Sequence, residues 1–311
     1  MTSRLMLLDT ASLYFRAFFG VPDSVRAPDG TPVNAVRGLL DFITRLTTTY
    51  EPTELVCCWD DDWRPQWRVD LIPTYKAHRV VEEVAGAVDV EETPDPLEVQ
   101  VPVIRETLEA LGIPVLGATG YEADDIIGTL TAQAGGPVDV VTGDRDLFQL
   151  VDDARGVRIL YTARGVGRLE VVTDEVVVGK YGILPEQYAD FATLRGDPSD
   201  GLPGVKGVGD KTAASLLQRY GDLASVVAAA ADESSTIASG VRGKLLASQD
   251  YLEVAPTVVA VATDVALPAA DATIGVLSAD QRERVADLAE RWGLGSSATR
   301  VVSALDDRTS A

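Results

Sequence analysis

Three short apolar runs, each leading into an aspartate, constrain this chain more than any other feature. The aspartates are Asp9, Asp60 and Asp144. Apolar runs of this length, bounded by turn residues, are typical of buried strands in a parallel sheet. Because the carboxyl ends of such strands open onto one crevice, we expect these acids to converge there. Carboxylates repel one another unless cations neutralise them, so the pattern predicts a site for one or two hard divalent metals.

Further acids in the first 200 residues enlarge this candidate site. Nine carboxylates form five clusters along the chain: Asp9, Asp60, Glu122, Asp124, Asp125, Asp144, Asp146, Asp197 and Asp200. Asp124 and Asp125 lie about 100° apart around a helix, so they cannot serve one metal in the same way. Either each of them binds a different metal, or one bridges the two metals while the other supports the metal ligands from the outer shell. Helix capping is the alternative explanation for Asp9 and for the acids at 122–125.

Composition limits the class of protein. With 311 residues, 46% of them apolar, the chain can build one large domain or two smaller ones. The adjacent Cys57 and Cys58 offer no disulfide framework and favour a buried pair in a reducing cytosol. The single histidine, His78, excludes His-rich zinc sites and disfavours a Ser-His-Asp triad. No apolar segment approaches the ~20 residues of a membrane span, so we expect a cytoplasmic protein without a membrane partner.

The net charge of −21 argues against a nucleic-acid partner unless basic residues are grouped. An acidic enzyme with a small-molecule substrate is therefore one alternative. Arg16, Arg68, Lys76 and Arg79 are candidate phosphate contacts, since aromatic residues interleave with most of them. Lys76 and Arg79 are three apart, which would place them on one helix face. A solvated basic face is the alternative here.

A glycine-rich segment between two predicted helices is a second candidate for phosphate binding. Its glycines would let backbone N–H groups approach an anion, and the next helix adds its dipole. The candidates are Gly204, Lys206, Gly207, Gly209 and Lys211. The segment nearly spells a nucleotide-binding phosphate loop, but Asp210 separates the last glycine from the lysine. A plain turn between helices is the alternative.

Strand and helix signals alternate to about residue 160, which predicts an α/β fold with a parallel sheet. We expect an α/β core over 1–185, a helical region over 186–292 containing the glycine hairpin 203–212, and a polar tail over 293–311. The stretch 80–96 is acidic without a base, and we expect it to be exposed.

These motifs, in this order, resemble the 5′-nucleases of the flap endonuclease family. The likeness is nearest to free-standing bacterial and phage enzymes and to the 5′-nuclease domain of bacterial DNA polymerase I. It spans residues 5 to about 220, weakens to about 270, and has no polymerase region after it. It implies a PIN-like α/β nuclease core, a helical gateway over about 75–100 and a helix-hairpin-helix-type DNA-binding region.

The resemblance also implies roles for individual residues. Asp9, Asp60, Glu122 and Asp124 would surround one Mg²⁺ or Mn²⁺. The second ion would be surrounded by Asp125, Asp144, Asp146 and Asp200. Asp124 could be shared by both ions, and Asp197 would support the ligands through the outer shell. Asp125 and Asp146 would be catalytic, together with Lys76 and Arg79, which would grip the scissile phosphate. The hairpin would bind duplex DNA, with a K⁺ held by the carbonyls of Val205 and Val208.

The implied function is hydrolysis of DNA at 5′ ends, nicks and 5′ flaps during replication and repair. We expect a monomer that cooperates with a DNA polymerase or ligase. Gly201 stands where the family often has asparagine, and the acidic stretch 80–96 lacks the family's bases. Two rivals stay open: a non-catalytic binder of DNA junctions that uses only the hairpin, and a metal-dependent ribonuclease on the same sheet.

Overall fold

A six-stranded sheet forms the centre of the computed structural model, which describes residues 3–84 and 88–308. The strand order is β5-β2-β1-β6-β7-β8, and all neighbours are parallel except β7 and β8. A separate two-stranded ribbon pairs β3 with β4. The strands are β1 (Leu5–Asp9), β2 (Glu54–Cys58), β3 (Val80–Glu82), β4 (Val90–Glu91), β5 (Val115–Leu116), β6 (Val138–Thr142), β7 (Val157–Tyr161) and β8 (Glu170–Val172).

Helices cover both faces of the sheet and continue into a helical half. They are α1 (Thr10–Gly20), α2 (Asn34–Tyr50), α3 (Gln66–Leu71), α4 (Asp95–Glu98), α5 (Val101–Ala110), α6 (Ala123–Gln133), α7 (Asp174–Tyr181), α8 (Tyr188–Arg195), α9 (Asp210–Tyr220), α10 (Leu223–Ala231), α11 (Ser239–Ala247), α12 (Gln249–Val259), α13 (Ala279–Arg291) and α14 (Gly295–Asp307). Short 3₁₀ turns lie at Ala77–Arg79, Asp146–Leu150, Val166–Arg168 and Pro185–Gln187. The predicted α/β fold with a mostly parallel sheet is confirmed.

The three strands that lead to the predicted aspartates are neighbours. β1 lies between β2 and β6, and Asp9 at the end of β1 is in register with Cys58 of β2. Asp60 and Asp144 follow β2 and β6 by two residues, so all three acids leave the same edge of the sheet. Cys57 and Cys58 are fully buried in the cores on opposite faces, as predicted.

The predicted polar tail is wrong for the part that the structure describes. Ala298, Val301 and Leu305 form a stripe at helical spacing that is buried against α2, so α14 belongs to the core. α13 also returns to the core, where it packs on α5. The prediction missed the stripe because polar residues surround it. Residues 309–311 lie outside the described residues.

The predicted helical gateway over 75–100 also needs correction. The described residues there form a 3₁₀ turn, the β3–β4 ribbon and the four-residue helix α4, because Val80 pairs with Glu91 across the ribbon. We call residues 80–98 the arch; 85–87 lie outside the described residues. Most of the arch side chains are exposed, as expected. In the described part of the chain, no helix is both long and apolar enough to cross a bilayer.

We expect Leu305→Ala to lower the free energy of unfolding by about 2–5 kcal/mol, because it removes a buried side chain from the α2–α14 interface. Ser303→Ala, on the exposed face of the same helix, is the control and should change little. Urea unfolding followed by circular dichroism measures both. Equal, small effects would mean that α14 is a tail after all.

Candidate active site

Seven of the nine predicted acids line two adjoining cavities at the carboxyl edge of the sheet. The larger cavity, about 250 Å³, contains Asp9, Asp60, Glu122, Asp124 and Asp144, with Lys76 and Arg79 on its wall. The smaller, about 20 Å³, contains Asp146 and Asp200 and shares Glu122 and Asp124 with the first. We call the two cavities together the carboxylate cleft.

Backbone and hydroxyl donors hold the acids that follow the strands. Asp9 caps α1, accepting from Ser12 N at 3.1 Å, and its other oxygen accepts from Thr142 Oγ1 at 2.7 Å. Asp60 Oδ1 accepts from Ala123 N at 2.8 Å, which ties the residue after β2 to the first turn of α6. The capping explanation for Asp9 and the site explanation therefore hold together.

Burial and mutual repulsion make several of these acids hard to ionise. Burial, with the charges of Asp60 and Asp144, raises the pKa of Asp9 from 3.8 to about 7. Burial, with Glu122, raises the pKa of Asp60 to about 6. For Asp124 and Asp146, burial and the charge of Asp144 raise the pKa well above its usual range. Positive charge brought among them would be strongly favoured.

This donor set fits hard divalent ions. The cleft presents carboxylate oxygens without thiol or imidazole, and such oxygens are the ligands that Mg²⁺ and Mn²⁺ prefer. No group of three His, Cys, Asp or Glu side chains in the described ranges already has the arrangement of a metal site. Glu122 is turned toward Lys76, Tyr75 and Arg68, so ion binding requires it to change partners.

Lys76 and Arg79 reach the cleft from a turn rather than from one helix face, which corrects the prediction. Lys76 has a left-handed backbone (φ 47°) and precedes the 3₁₀ turn. Its ammonium pairs with Glu122, and although burial opposes the charge, Glu122 raises its pKa well above the usual value. Arg79 Nη2 donates to Asp200 Oδ1 at 3.2 Å. Both cations therefore face the acids.

Gly201 explains one departure from the family pattern. The Lys76 N–H donates to Asp200 O at 2.9 Å, so the chain before the arch lies directly on the loop at 197–201. A Cβ on Gly201 would come within 2.0 Å of Thr74 O, and its φ is +71°. Only glycine fits this close approach, whereas asparagine would push Lys76 away.

Arg68 and Asp125 differ most from their predicted roles. Arg68 is 3% exposed and makes a two-pronged ion pair with Asp125, at 2.8 and 2.7 Å, and another bond to Glu122 at 3.0 Å. Asp125 is fully buried, lines neither cavity, and also accepts from Ala262 N at 2.8 Å. Arg68 lines the smaller cavity from the inside, and Asp125 lies outside both cavities. The two side chains are bonded to each other within the protein.

Two other predicted residues lie beside the cleft. Asp197 pairs with Arg195 at 3.0 Å and accepts from Ser199 N, so it shapes the loop that carries Asp200. This position is compatible with the outer-shell role expected for Asp197, in which it supports the metal ligands without binding a metal. Arg16 lies one turn beyond Ser12 on α1 and lines a surface groove next to the cleft.

The glycine segment joins α8 to α9 as a hairpin. Gly204 and Gly207 have φ of +62° and +74°, and a Cβ on Gly204 would meet Gly196 N at 2.4 Å. Val205 and Val208 are buried, whereas Lys206, Gly207, Gly209 and Lys211 are exposed on the hairpin and the first turn of α9. Lys244 Nζ donates to Gly207 O at 3.0 Å. Of the predicted phosphate contacts on the hairpin, these four exposed residues are therefore accessible, whereas Gly204 is buried.

Sequence reasoning missed Glu91 and Tyr75, which line the cleft, and Arg64, which pairs with the arch beside it. Glu91 lines the cleft because the β3–β4 ribbon carries it there, and no local motif signals that pairing. The Tyr75 hydroxyl donates to Glu122 at 2.7 Å. Its position next to Lys76 in the sequence could have indicated that it belongs to the site. Arg64 pairs with Asp89 of the arch at 2.5 Å, a contact between residues far apart in sequence.

Comparison with known proteins identifies the family. A family model described as the 5′-3′ exonuclease N-terminal resolvase-like domain matches residues 4–182, and one described as the 5′-3′ exonuclease C-terminal SAM fold matches residues 183–282. The chain is 60% identical over 300 residues to a 5′-3′ exonuclease of Streptomyces coelicolor, covering 96% of this chain and 99% of that one. The chain belongs to the 5′-3′ exonuclease family.

More distant relatives agree with this assignment. The chain is 46% identical over 227 residues to DNA polymerase I of Mycobacterium bovis, covering 72% of this chain and 24% of the polymerase. The structure of the T5 D15 protein co-crystallised with metal ions shares the fold, with a TM-score of 0.65 at 16% identity, covering 97% of this chain and 100% of that one. The resemblance to free-standing exonucleases and to polymerase I is confirmed.

We expect Arg68→Ala to destabilise this 5′-3′ exonuclease by about 3–5 kcal/mol, because it leaves Asp125 buried without a counter-charge. Arg105→Ala, which breaks a half-exposed pair with Glu109, is the control and should cost less than about 1 kcal/mol. Chemical unfolding measures the difference. If the two variants are equally stable, the buried network does not hold this site together.

Folding stability should also depend on pH. The pKa values of Asp9 and Asp60 are higher in the folded protein than the ordinary 3.8, so the folded state holds extra protons between about pH 4 and 7. Stability in EDTA should therefore fall as the pH rises through that window. Asp9→Asn should be more stable than wild type at pH 7 by roughly 1–4 kcal/mol.

Thermal unfolding in EDTA at several pH values measures this effect, and Mg²⁺ should abolish the fall. Asp287→Asn, on an exposed face of α13, is the control and should behave like wild type. A flat pH profile in EDTA would contradict the raised pKa values.

Proposed function

We propose that the chain is a structure-specific 5′-nuclease that hydrolyses DNA phosphodiesters at 5′ ends, nicks and 5′ flaps. It would act as a 5′-3′ exonuclease and flap endonuclease in DNA replication and repair. The observation that carries the proposal is the carboxylate cleft, where the seven predicted acids and Glu91 meet Lys76, Arg79 and Arg68. The 5′-3′ exonuclease of Streptomyces coelicolor, alike along nearly its whole length, supports it.

Two divalent ions, Mg²⁺ or Mn²⁺, fit the cleft. Asp9, Asp60, Glu122 and Asp124 would hold one, and Asp144, Asp146 and Asp200 the other, with Asp124 able to serve both. When bound, such ions lower the pKa of a water and stabilise a leaving oxygen. The metal ions in the T5 D15 structure support metal dependence in this fold.

The chain's own residues would then bind and orient the scissile phosphate. Lys76 and Arg79 lie where phosphate oxygens would approach the acids, and their charges would offset the charge that builds on the phosphate. Glu122 would be a ligand of one ion, and Lys76, which pairs with Glu122 in this structure, would donate to the phosphate. Asp125 is not part of this step, because Arg68 holds it.

The hairpin would bind the duplex through its backbone, without reading sequence. The exposed Gly207 and Gly209 would allow close approach, and Lys206 and Lys211 would supply charge. The buried Gly204 would shape the hairpin by its close approach to Gly196. A K⁺ at the carbonyls of Val205 and Val208 stays a proposal, and Lys244 already donates to the hairpin at Gly207. Because these contacts pair lysines with phosphates, binding should weaken as salt rises. Divalent ions should strengthen it by offsetting the net charge of −21.

We propose a monomer acting in the cytoplasm on nucleoid DNA. Cooperation with a DNA polymerase is supported by the similarity to a region of DNA polymerase I. Cooperation with a ligase would follow from the nicks that such a nuclease leaves.

The test uses 5′-labelled nicked, recessed and flap duplexes with Mg²⁺, Mn²⁺ or EDTA, and sizes the products on a gel. We expect metal-dependent cuts at or near the junction and short products from 5′ ends. Binding without cleavage under every metal would favour the junction binder. Cleavage of RNA but not DNA would favour the ribonuclease.

We expect Asp146→Asn to reduce cleavage at least about a hundredfold while DNA binding survives, because it removes an acid of the smaller cavity. Asp287→Asn, far from the cleft, should cleave like wild type. Anisotropy with labelled duplex in Ca²⁺ measures binding separately from cleavage. Unchanged cleavage by Asp146→Asn would contradict the assignment of two metal positions.

A further inference from the structure

Two large grooves leave the carboxylate cleft on either side of α1. One lies between α1 and the arch, has a volume of about 970 Å³, and we call it the arch groove. The other, about 870 Å³, is lined by Ser12, Phe15, Arg16, Phe19, Phe42 and the turn at 163–167, and we call it the turn groove. Phe15 lines both grooves and the cleft, so each groove is an exit from the site.

The arch groove is acidic. Its wall carries Asp89, Glu91, Glu92, Asp95 and Glu98, and no lysine or arginine of the described ranges lines it. Arg64 neutralises Asp89 at 2.5 Å, which leaves four carboxylates facing the groove. A strand with one phosphate per nucleotide would be repelled along its whole path there.

The turn groove has the opposite charge. Arg16 and Arg164 line it and no carboxylate does, as far as the chain is described. Neither arginine has an ion-pair partner among residues 3–84 and 88–308, and the buried Nε of Arg16 and Oγ1 of Thr162 have no hydrogen-bond partner there. Ser12 Oγ, Thr162 Oγ1 and Arg16 Nη2 converge within 3.4 Å of the position that a Cβ on Gly143 would take. Donors for an anion are thus gathered where this groove meets the cleft.

Aromatic rings complete the turn groove. Phe19 is 74% exposed, and Phe15 lies one helical turn before it on the same face of α1. Both rings also border the arch groove, so the charge of the walls is what distinguishes the two grooves. Basic side chains beside exposed rings are typical of surfaces that bind single-stranded nucleic acid, since bases stack on the rings while phosphates meet the cations. The groove's volume falls within the roughly 300–1,000 Å³ of ligand sites.

We propose that the turn groove binds the unpaired 5′ nucleotides of a flap, so that the displaced strand leaves over α1 beside Arg164 and not beneath the arch. The inference rests on the proposed function, because it assumes that a DNA strand reaches the cleft. It assigns new roles to Arg164, Phe19 and Phe42 and makes the arch a barrier that directs the strand.

A cross-linking experiment locates the strand without requiring cleavage. Cys57 and Cys58 are both fully buried, so a surface cysteine would be the reactive thiol. Ala163→Cys places a thiol in the turn groove, and Val90→Cys places one in the arch groove, with no change of charge. Each variant is incubated in Ca²⁺, under conditions where anisotropy shows that the duplex is bound, with a flap duplex that carries an activated disulfide on the flap near the junction.

We expect Ala163→Cys to cross-link to the flap at least about tenfold faster than Val90→Cys. Wild type, without a surface cysteine at either position, should not cross-link. Faster or equal reaction at position 90 would overturn the proposal, because the strand would then pass beneath the arch. Absence of reaction at both positions would also overturn it, since a strand bound in the turn groove must lie beside residue 163.

Cleavage gives a second readout. Arg164→Ala should lower kcat/KM on a long 5′ flap about tenfold, through loss of a phosphate contact, and leave cleavage of a nicked duplex unchanged. Glu92→Gln, in the arch groove, is the control and should not lower flap cleavage. If Arg164→Ala lowers kcat/KM equally on the flap and on the nicked duplex, or lowers it on neither, the turn groove does not bind the flap. If wild type fails to cut even the nicked duplex in Mg²⁺ and Mn²⁺, the proposed function fails instead.

Discussion

The repulsion among carboxylates at one edge of a parallel sheet is the constraint on which the rest of this structure depends. Strands β1, β2 and β6 end side by side, so their acids must meet. The protein offsets part of this charge with its own cations, Arg68 and Lys76, and leaves the remainder as raised pKa values at Asp9 and Asp60. The remainder is what makes the cleft suitable for divalent ions.

The internal cations also join the two halves of the molecule. Arg68 bonds Asp125 and Glu122 at the start of α6, and its Nε donates to Val258 O of α12 at 3.1 Å. Asp125 accepts in turn from Ala262, just beyond α12. The helical half, with the hairpin that we propose to bind DNA, is therefore held in place by the same charges that organise the cleft. A substrate gripped by the hairpin would meet acids whose position does not depend on a flexible linker.

The sequence predicted what depends on local pattern. Apolar runs before Asp9, Asp60 and Asp144 were enough to predict adjacent strands, and the glycines at 204–209 predicted the hairpin. Contacts between residues far apart in sequence could not be predicted. Asp125 was predicted to bind a metal, because nothing in the local sequence shows that it pairs with Arg68, which lies 57 positions away. The family resemblance implied a helical gateway where the structure has the β3–β4 ribbon, and a pairing of Val80 with Glu91 leaves no periodic signal in the sequence that could have corrected it. Charge alone suggested an exposed arch, but not the groove beneath it.

The central claim is that the cleft has two adjacent divalent-ion positions that share Asp124. Calorimetric titration of Mn²⁺ into the protein, with no DNA present, tests it most directly. The account predicts two ions per chain in wild type, one in Asp146→Asn, and weakened binding of both in Asp124→Asn. Binding of no ion or a single ion by wild type, or an unchanged count in Asp146→Asn, would contradict it.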